Sequence, residues 1–392
     1  MNRILAYTSP ARGHLYPIVA TLLELRERGH DVHVRTLGSE VQVLRDAGLE
    51  AAPITPAIED LPLVDHEAAS PEAGLMSVYE TMTARADLEI DDFQQVIADV
   101  DPTHLLVDIT TVGAAAVAES SGLPWALTIP LFQHFSFEPG APRDLAMVPF
   151  AIAPPGLDVL NGPRRRLGLP PLEGFDEVWR ADLNLYFTAP PLERELDFPS
   201  TFRLVGPGTW DPLDQAPSWW HSLSEPRVLV AASSETQNDD ALIRAALHGL
   251  ADEAVAVAAS TAAHDPASFN APANAHVERW LPHGAMMSTA ACVVCHGGMG
   301  VTQKALAAGV PVCVVPFGRD QFEVAEHVVA AGAGTMVPPD ALTPEALQEA
   351  VMAAMGLRAG AERVARGFEV AGGAVAAADA VESLRATAIP QP

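Results

Sequence analysis

The chain opens on a short apolar run, Arg3 to Thr8, followed by Ser9, Gly13 and Pro17, then by Ile18, Val19, Leu22, Leu23 and Leu25 along one face of a helix. Gly29 closes that predicted helix, and Asp31 to Thr36 alternates apolar with polar side chains as a strand does. Ser39 is placed to cap a helix running to Ala47; Gly48 stops it and another strand starts near Leu49. The same rhythm gives an amphipathic helix over Ser77–Val100, a strand His104–Val107, a helix Thr111–Ser120 and a strand Trp125–Ile129. Strands alternating with helices from the first residue predict a parallel sheet covered on both faces, with ligands beyond the carboxyl ends of its strands.

The pattern breaks at Leu131 and stays irregular to about Asp182, where Phe132, Phe135, Phe137, Met147, Phe150, Phe175 and Trp179 stand among many prolines. Loops and short helices bearing apolar groups suit either a lid over the core or an apolar ligand pocket. Residues 206–226, rich in Gly, Pro and Ser, read as an interdomain linker between 1–205 and 227–375. After it come strands at Arg227–Ala232, Ala254–Ala258, His276–Arg279, Ala291–Cys295 and Val312–Val315. Helices are expected at Asp239–Leu250, Met299–Ala308, Phe322–Ala330 and Pro344–Met355. The Ala-rich stretch Glu362–Ala386 predicts one helix; the end of the chain, 376–392, either completes the second domain or packs back on the first.

A length of 392 residues exceeds what one hydrophobic core usually organises, in agreement with two domains. The hydrophobic fraction of 49% belongs to a folded chain, and a formal charge of −27 opposes binding to nucleic acid or an anionic membrane. Membrane insertion is not expected, since uninterrupted apolar stretches stay short of the ~18 residues a span needs. The apolar run Ile4–Tyr7 is too short for a signal-peptide core, and three cysteines are too few to staple a secreted domain. A cytoplasmic protein is expected; a homodimer stays open.

Cys292-Val-Val-Cys295-His296 has the short pattern of haem attachment, redox or zinc chemistry, but no second cysteine pair or export signal accompanies it. A stronger reading starts at His296, where a strand ends in His296-Gly297-Gly298-Met299-Gly300 and a helix follows. Small residues let the backbone approach a phosphate, and the amides and dipole at the helix start favour its charge. Asp99-Val-Asp101 has the look of a metal-binding pair but lies at the end of a polar helix, where a solvated terminus is the simpler account. His14 follows the first strand, on the rim where ligands gather, and imidazole suits proton removal near neutrality. Asp108 ends an apolar strand on the same rim, where a carboxylate can orient that imidazole.

The order Trp280-x-Pro282, His296-Gly-Gly-x-Gly300, Gly309-Val-Pro311 and Asp320-Gln321 resembles the nucleotide-sugar box of the family 1 glycosyltransferases of GT-B fold, especially bacterial natural-product enzymes. Val205-Gly-Pro207 and Gly13-His14-x-x-Pro17 extend the likeness over most of the chain. The resemblance implies two Rossmann-like domains facing a cleft, an acceptor domain first and a nucleotide-sugar domain second. It implies that Trp280 stacks on the nucleobase, that His296, Gly297, Gly298, Met299 and Gly300 hold the diphosphate, and that Asp320 and Gln321 meet sugar hydroxyls. His14 becomes the general base of an inverting transfer and Asp108 its partner, with no tightly bound cofactor and no metal.

Two positions depart from the family pattern. Lys304 stands where enzymes using UDP-sugars often carry a Glu on the ribose, which favours a dTDP-sugar over a UDP-sugar. Ala231-Ala-Ser-Ser234 replaces the usual Ser-Leu-Gly-Ser/Thr turn, leaving Ser234 to offer a hydroxyl to phosphate. The expected acceptor is an apolar natural-product aglycone such as a polyketide. The rival readings are a nucleotide-sugar epimerase and a noncatalytic activating partner of a transferase; the absence of Gly-x-Gly-x-x-Gly after either first strand disfavours a nicotinamide dehydrogenase.

Overall fold

The structure, a computed structural model, describes residues 1–392 apart from 69, 133–153, 175–176, 195, 213–214, 236 and 386–392. The chain divides into two compact units, one formed by Met1–Phe187, Leu196–Val205 and Gly372–Pro392, the other by Thr188–Glu195 and Gly206–Ala371.

In the first unit β1 (Arg3–Tyr7), α1 (Arg12–Glu27), β2 (Asp31–Thr36), α2 (Val41–Asp46), β3 (Glu50–Pro53) and α3 (Pro56–Glu59) open the sequence. They are followed by α4 (Pro71–Val100), β4 (His104–Asp108), α5 (Val112–Ser121), β5 (Trp125–Ile129), α6 (Pro154–Arg166), β6 (Leu183–Tyr186) and β7 (Phe202–Leu204). Among the described residues the strands make one sheet in the order β3-β2-β1-β4-β5-β6-β7, parallel throughout. Tyr7 lies opposite both Arg35 and Val107, so the carboxyl ends of β1, β2 and β4 come into line. Strand order reverses between β1 and β4, the switch point at which open α/β sheets bind ligands. β1, β4 and β5 are buried almost throughout, which is why they read as apolar runs rather than alternating ones.

The second unit holds α7 (Ser218–Ser222), β8 (Arg227–Ala231), α8 (Asp240–Gly249), β9 (Ala256–Ser260), β10 (Ala275–Glu278), α9 (His283–Met287) and β11 (Cys292–Cys295). It continues through α10 (Met299–Ala307), β12 (Val312–Val314), α11 (Gln321–Ala330), β13 (Gly334–Met336), α12 (Pro344–Met355) and α13 (Arg358–Ala371). Its parallel sheet runs β10-β9-β8-β11-β12-β13, with the reversal between β8 and β11. Leu242, Ile243, Ala246 and Leu247 of α8 join Val228, Val230, Val257 and Val294 in a core on one face of that sheet.

Several local expectations are corrected. Ser39 does not cap a helix: Gly38–Glu40 form a 3₁₀ turn, the Ser39 hydroxyl donates to Glu40, and α2 starts only at Val41. The single tail helix is two, because Gly372 and Gly373 take φ of +86° and +56°, a left-handed break that glycine makes without steric penalty. The piece after it, α14 (Gly373–Ser383), packs against α1 of the first unit. Arg28 pairs with Asp379 and Glu382, and His30 Nε2 lies 2.7 Å from Glu382. Residues 206–226 group with the second unit and include α7, whose Trp220 is fully buried. In the segment after Leu131, Phe132 is buried against Tyr186, and the half-buried Trp179 packs on Phe202. Phe135, Phe137, Met147, Phe150 and Phe175 lie outside the described residues.

Candidate functional site

β1 and β4 are neighbours although β2 and β3 intervene in the chain, and this brings together two residues 94 positions apart. His14 sits in the first turn of α1 with Nδ1 2.7 Å from Oδ2 of Asp108, the last residue of β4. The other oxygen, Oδ1, accepts the Thr110 amide at 2.8 Å and the Thr110 hydroxyl. The carboxylate is wholly buried while the imidazole is 21% exposed, so a fixed anion faces a ring that reaches solvent. A carboxylate on Nδ1 selects the tautomer that carries its proton there, which makes Nε2 the basic nitrogen.

Behind this pair, α4 places Glu89 at the start of α5, where its buried carboxyl accepts the Gly113 amide at 2.8 Å. Burial pushes Glu89 up to about 8; the Gly113 amide and Arg85 oppose the rise and the Asp108 charge adds to it. Nothing in the sequence singled Glu89 out, since one acid in a long polar helix reads as part of a solvated face.

In the second unit β11 delivers His296, which is 8% exposed. Gly297 has φ of +92°, and a Cβ on it would stand 2.9 Å from Val314 Cγ1. At Gly298 a Cβ would lie 2.4 Å from His296 Nε2, so the imidazole occupies the space the missing side chain leaves. No atom comes within 4 Å of where a Cβ on Gly300 would be, and α10 begins after Gly298 without a side-chain cap. Met299 is buried. Burial lowers the His296 pKa, the nearby Asp239 charge pulling the other way, so the ring is neutral near pH 7. Its Nδ1 is buried without a hydrogen-bond partner among the described residues, a cost to folding of the kind that concentrates at binding sites.

The turns after β8 and β12 flank this loop. Ser234 is half-buried in the first, and Asp320 precedes α11 in the second, beside Arg319, whose φ of +56° is strained for a residue with a Cβ. Gln321 is 2% exposed; its Oε1 accepts the amides of Phe317 at 2.8 Å and Gly318 at 3.2 Å, and its Nε2 donates to Gln237 at 2.6 Å. The amide expected to meet sugar hydroxyls is thus engaged three times within its own unit. Trp280 follows β10 and is 45% exposed.

Lys304 lies on α10 with Nζ 3.3 Å from Asp211, which also accepts the Gly284 amide at 3.2 Å. Burial lowers the Lys304 pKa and Asp211 opposes that fall; beside them His283 is lowered to about 4 by burial. Asp211 comes from the stretch read as a linker, a role its sequence does not announce. Cys292, Cys295 and Cys313 are free and buried, and burial raises all three thiols, holding them protonated and unreactive. Asp101 ends α4 in the left-handed region with its side chain 94% exposed, as a solvated helix end would be. Asp31, His33 and Glu50 cluster at the opposite, amino-terminal end of the first sheet, where Arg3 already pairs with Asp31. No helix among the described residues is long and apolar enough to cross a membrane.

Residues 242–375 match the family described as erythromycin biosynthesis protein CIII-like, C-terminal domain. The chain is 30% identical to 4'-demethylrebeccamycin synthase of Lentzea aerocolonigenes, over 97% of this chain and 99% of that one. Among solved structures it resembles the calicheamicin glycosyltransferase CalG4, with a TM-score of 0.77 and 22% identity over 97% of this chain and 98% of that one. It also resembles the glycosyltransferase VinC in complex with dTDP, with a TM-score of 0.69 and 20% identity over 96% and 99% of the two chains. These likenesses identify the two sheets as those of the GT-B fold.

Proposed function

Because the chain belongs to the glycosyltransferases of natural-product pathways, which move a sugar onto an aglycone, we propose that it does so by an inverting displacement with His14 as general base. The observation that carries this reading is the 2.7 Å pairing of His14 Nδ1 with the buried Asp108 carboxylate at the switch point of the first sheet. His14 Nε2 takes the proton of the acceptor hydroxyl as its oxygen bonds to the anomeric carbon, and the bond from that carbon to the nucleoside diphosphate breaks. Asp108 stabilises the imidazolium that forms and keeps the ring oriented.

On the donor side Trp280 stacks on the base, and the first amides of α10, with His296 and Ser234, receive the diphosphate. Amides and a helix start stabilise a leaving diphosphate without a metal ion. Asp320 meets the sugar. The donor is a dTDP-sugar in preference to a UDP-sugar: Lys304, held by Asp211, offers no carboxylate to a ribose 2′-hydroxyl, and VinC, a neighbour in fold, was solved with dTDP. The acceptor is an apolar aglycone such as a polyketide, and the reaction takes place in the cytoplasm.

The test is calorimetric titration with dTDP and UDP in buffer containing EDTA, followed by turnover with the matching nucleotide sugar and candidate aglycones. Binding of dTDP tighter than UDP, with activity that survives the chelator, is expected. Complete, metal-reversible loss of activity in EDTA would remove the metal-free donor site. A folded protein that binds neither nucleotide would point to a noncatalytic partner, and consumption of donor without acceptor to an epimerase.

A further inference from the structure

The turns that flank the His296 loop are tied to each other by side chains of which only Gln321 belongs to a motif. Gln321 holds the turn after β12 through the Phe317 and Gly318 amides and donates from Nε2 to Oε1 of Gln237 at 2.6 Å. Gln237 Nε2 donates to Ser233 Oγ at 2.7 Å, and the same hydroxyl accepts the Glu235 amide at 3.1 Å, closing the turn after β8. The Ser233 amide donates to Asp239 Oδ2 at 2.6 Å, while Asp239 Oδ1 lies 2.6 Å from His264 Nε2. Gln321, Gln237, Ser233 and Asp239 are 2%, 7%, 3% and 0% exposed, so the chain of bonds runs almost entirely out of water. β8 and β12 both pair with β11, and the Gln237–Gln321 bond therefore spans the end of the strand that delivers His296. The Gln321 backbone oxygen lies 3.1 Å from where a Cβ on Gly297 would stand, so this span also seats the His296 loop. A buried polar chain of this kind holds its geometry because each broken link strands a desolvated donor or acceptor.

We propose that Gln237 and Gln321 are positioning residues that couple the two turns, so that Gln321 supports diphosphate binding through Gln237 and Ser233, beyond any contact it makes with the sugar. The proposal rests on the donor reading of this edge. Gln237 takes the place of the missing glycine turn: in Ala231-Ala-Ser-Ser234 the backbone is shaped by side-chain bonds from Gln237 and Asp239.

dTDP, which lacks the sugar to be transferred, separates coupling from contact with that sugar. Calorimetry with the full chain should find dTDP weakened roughly tenfold to a hundredfold in Gln321→Met and in Gln237→Met, the size expected when a buried hydrogen-bonding group loses its partner. The double variant should be no worse than about twofold beyond the weaker single one, because residues acting through one chain are not additive. The donor KM should rise in parallel while the acceptor KM stays unchanged. A Gln321→Met protein that binds dTDP within twofold of the wild type, with only the nucleotide-sugar KM raised, would overturn the coupling and leave Gln321 with a sugar contact alone. Should Gln321→Met fail to fold, Gln237→Met and Ser233→Ala give the same reading. Should the wild type bind no nucleoside diphosphate, the donor reading falls, and hydrogen exchange then tests the coupling by itself. In Gln237→Met the Phe317 and Gly318 amides should exchange faster; unchanged protection there would sink it.

Discussion

His14 and Asp108 form a pair whose parts do different work, one reaching solvent and the other sealed from it. His14→Ala should lower kcat by roughly 10²–10⁴-fold, the usual size of a general-base effect, with dTDP affinity kept. Asp108→Asn should lower kcat with donor KM unchanged, because an amide no longer selects the Nδ1–H tautomer; unchanged turnover in either variant removes the pair from the mechanism. Their meeting was legible because His14 follows the apolar run of β1 and Asp108 ends that of β4, which puts both on the carboxyl-end rim of the sheet. Gln237, Asp239 and His264 were not, since polar side chains after a strand read as solvated loop and the partner of Gln237 stands 84 positions away. The three bonds that Gln321 makes within its own unit were not legible either, since no spacing rule tells which partners a motif amide takes.

Elements were legible where their signals are local. β2 and β5 agree with expectation residue for residue and α12 does too, because alternation, a closed apolar run and a Thr343 cap are local signals. β6, β7 and β13 went unread, each of four residues or fewer and recognisable only by pairing with a neighbour. The contact of α4 with α5 is likewise invisible in sequence, and it carries two predictions. A Cβ on Gly113 would lie 2.1 Å from the Ala86 carbonyl oxygen, so Gly113→Ala should separate the helices and lower the urea midpoint by a stability loss of roughly 1–3 kcal/mol. Glu89 has its pKa raised to about 8 by burial, so the native state holds a proton that the unfolded chain releases near 4.5. Its contribution to stability is full below the unfolded value and is lost as pH rises toward 8. Gln at this position keeps an acceptor for the Gly113 amide and has no proton to lose. Glu89→Gln should therefore gain on the wild type between pH 5 and 8, by up to ~1.4 kcal/mol per pH unit. A constant difference across that range would mean the carboxyl is ionised throughout.

At the scale of the molecule, length and pattern were enough to predict two α/β units, while the path of the chain between them was not. Thr188–Glu195 leaves the first unit early, and His327 of α11 receives it through the Leu192 carbonyl at 2.9 Å. The return of Gly372–Pro392 to the first unit could not be decided from an Ala-rich tail that suits either place. A protein ending at Ala371 should keep its dTDP affinity, because every donor-side residue precedes that point, and should melt in two steps as the first unit loses α14. A single unchanged transition would show that α14 adds nothing to α1.

The first unit is thus made of the chain's beginning and its end. During synthesis β1, α1 and their sheet leave the ribosome long before α14, and the surface of α1 that α14 later covers stays bare while the whole second unit is made. A nascent chain of this protein presents that surface to chaperones and proteases until α14 emerges, so slow translation of the segment that encodes the second unit lengthens the exposure of the half that emerged first.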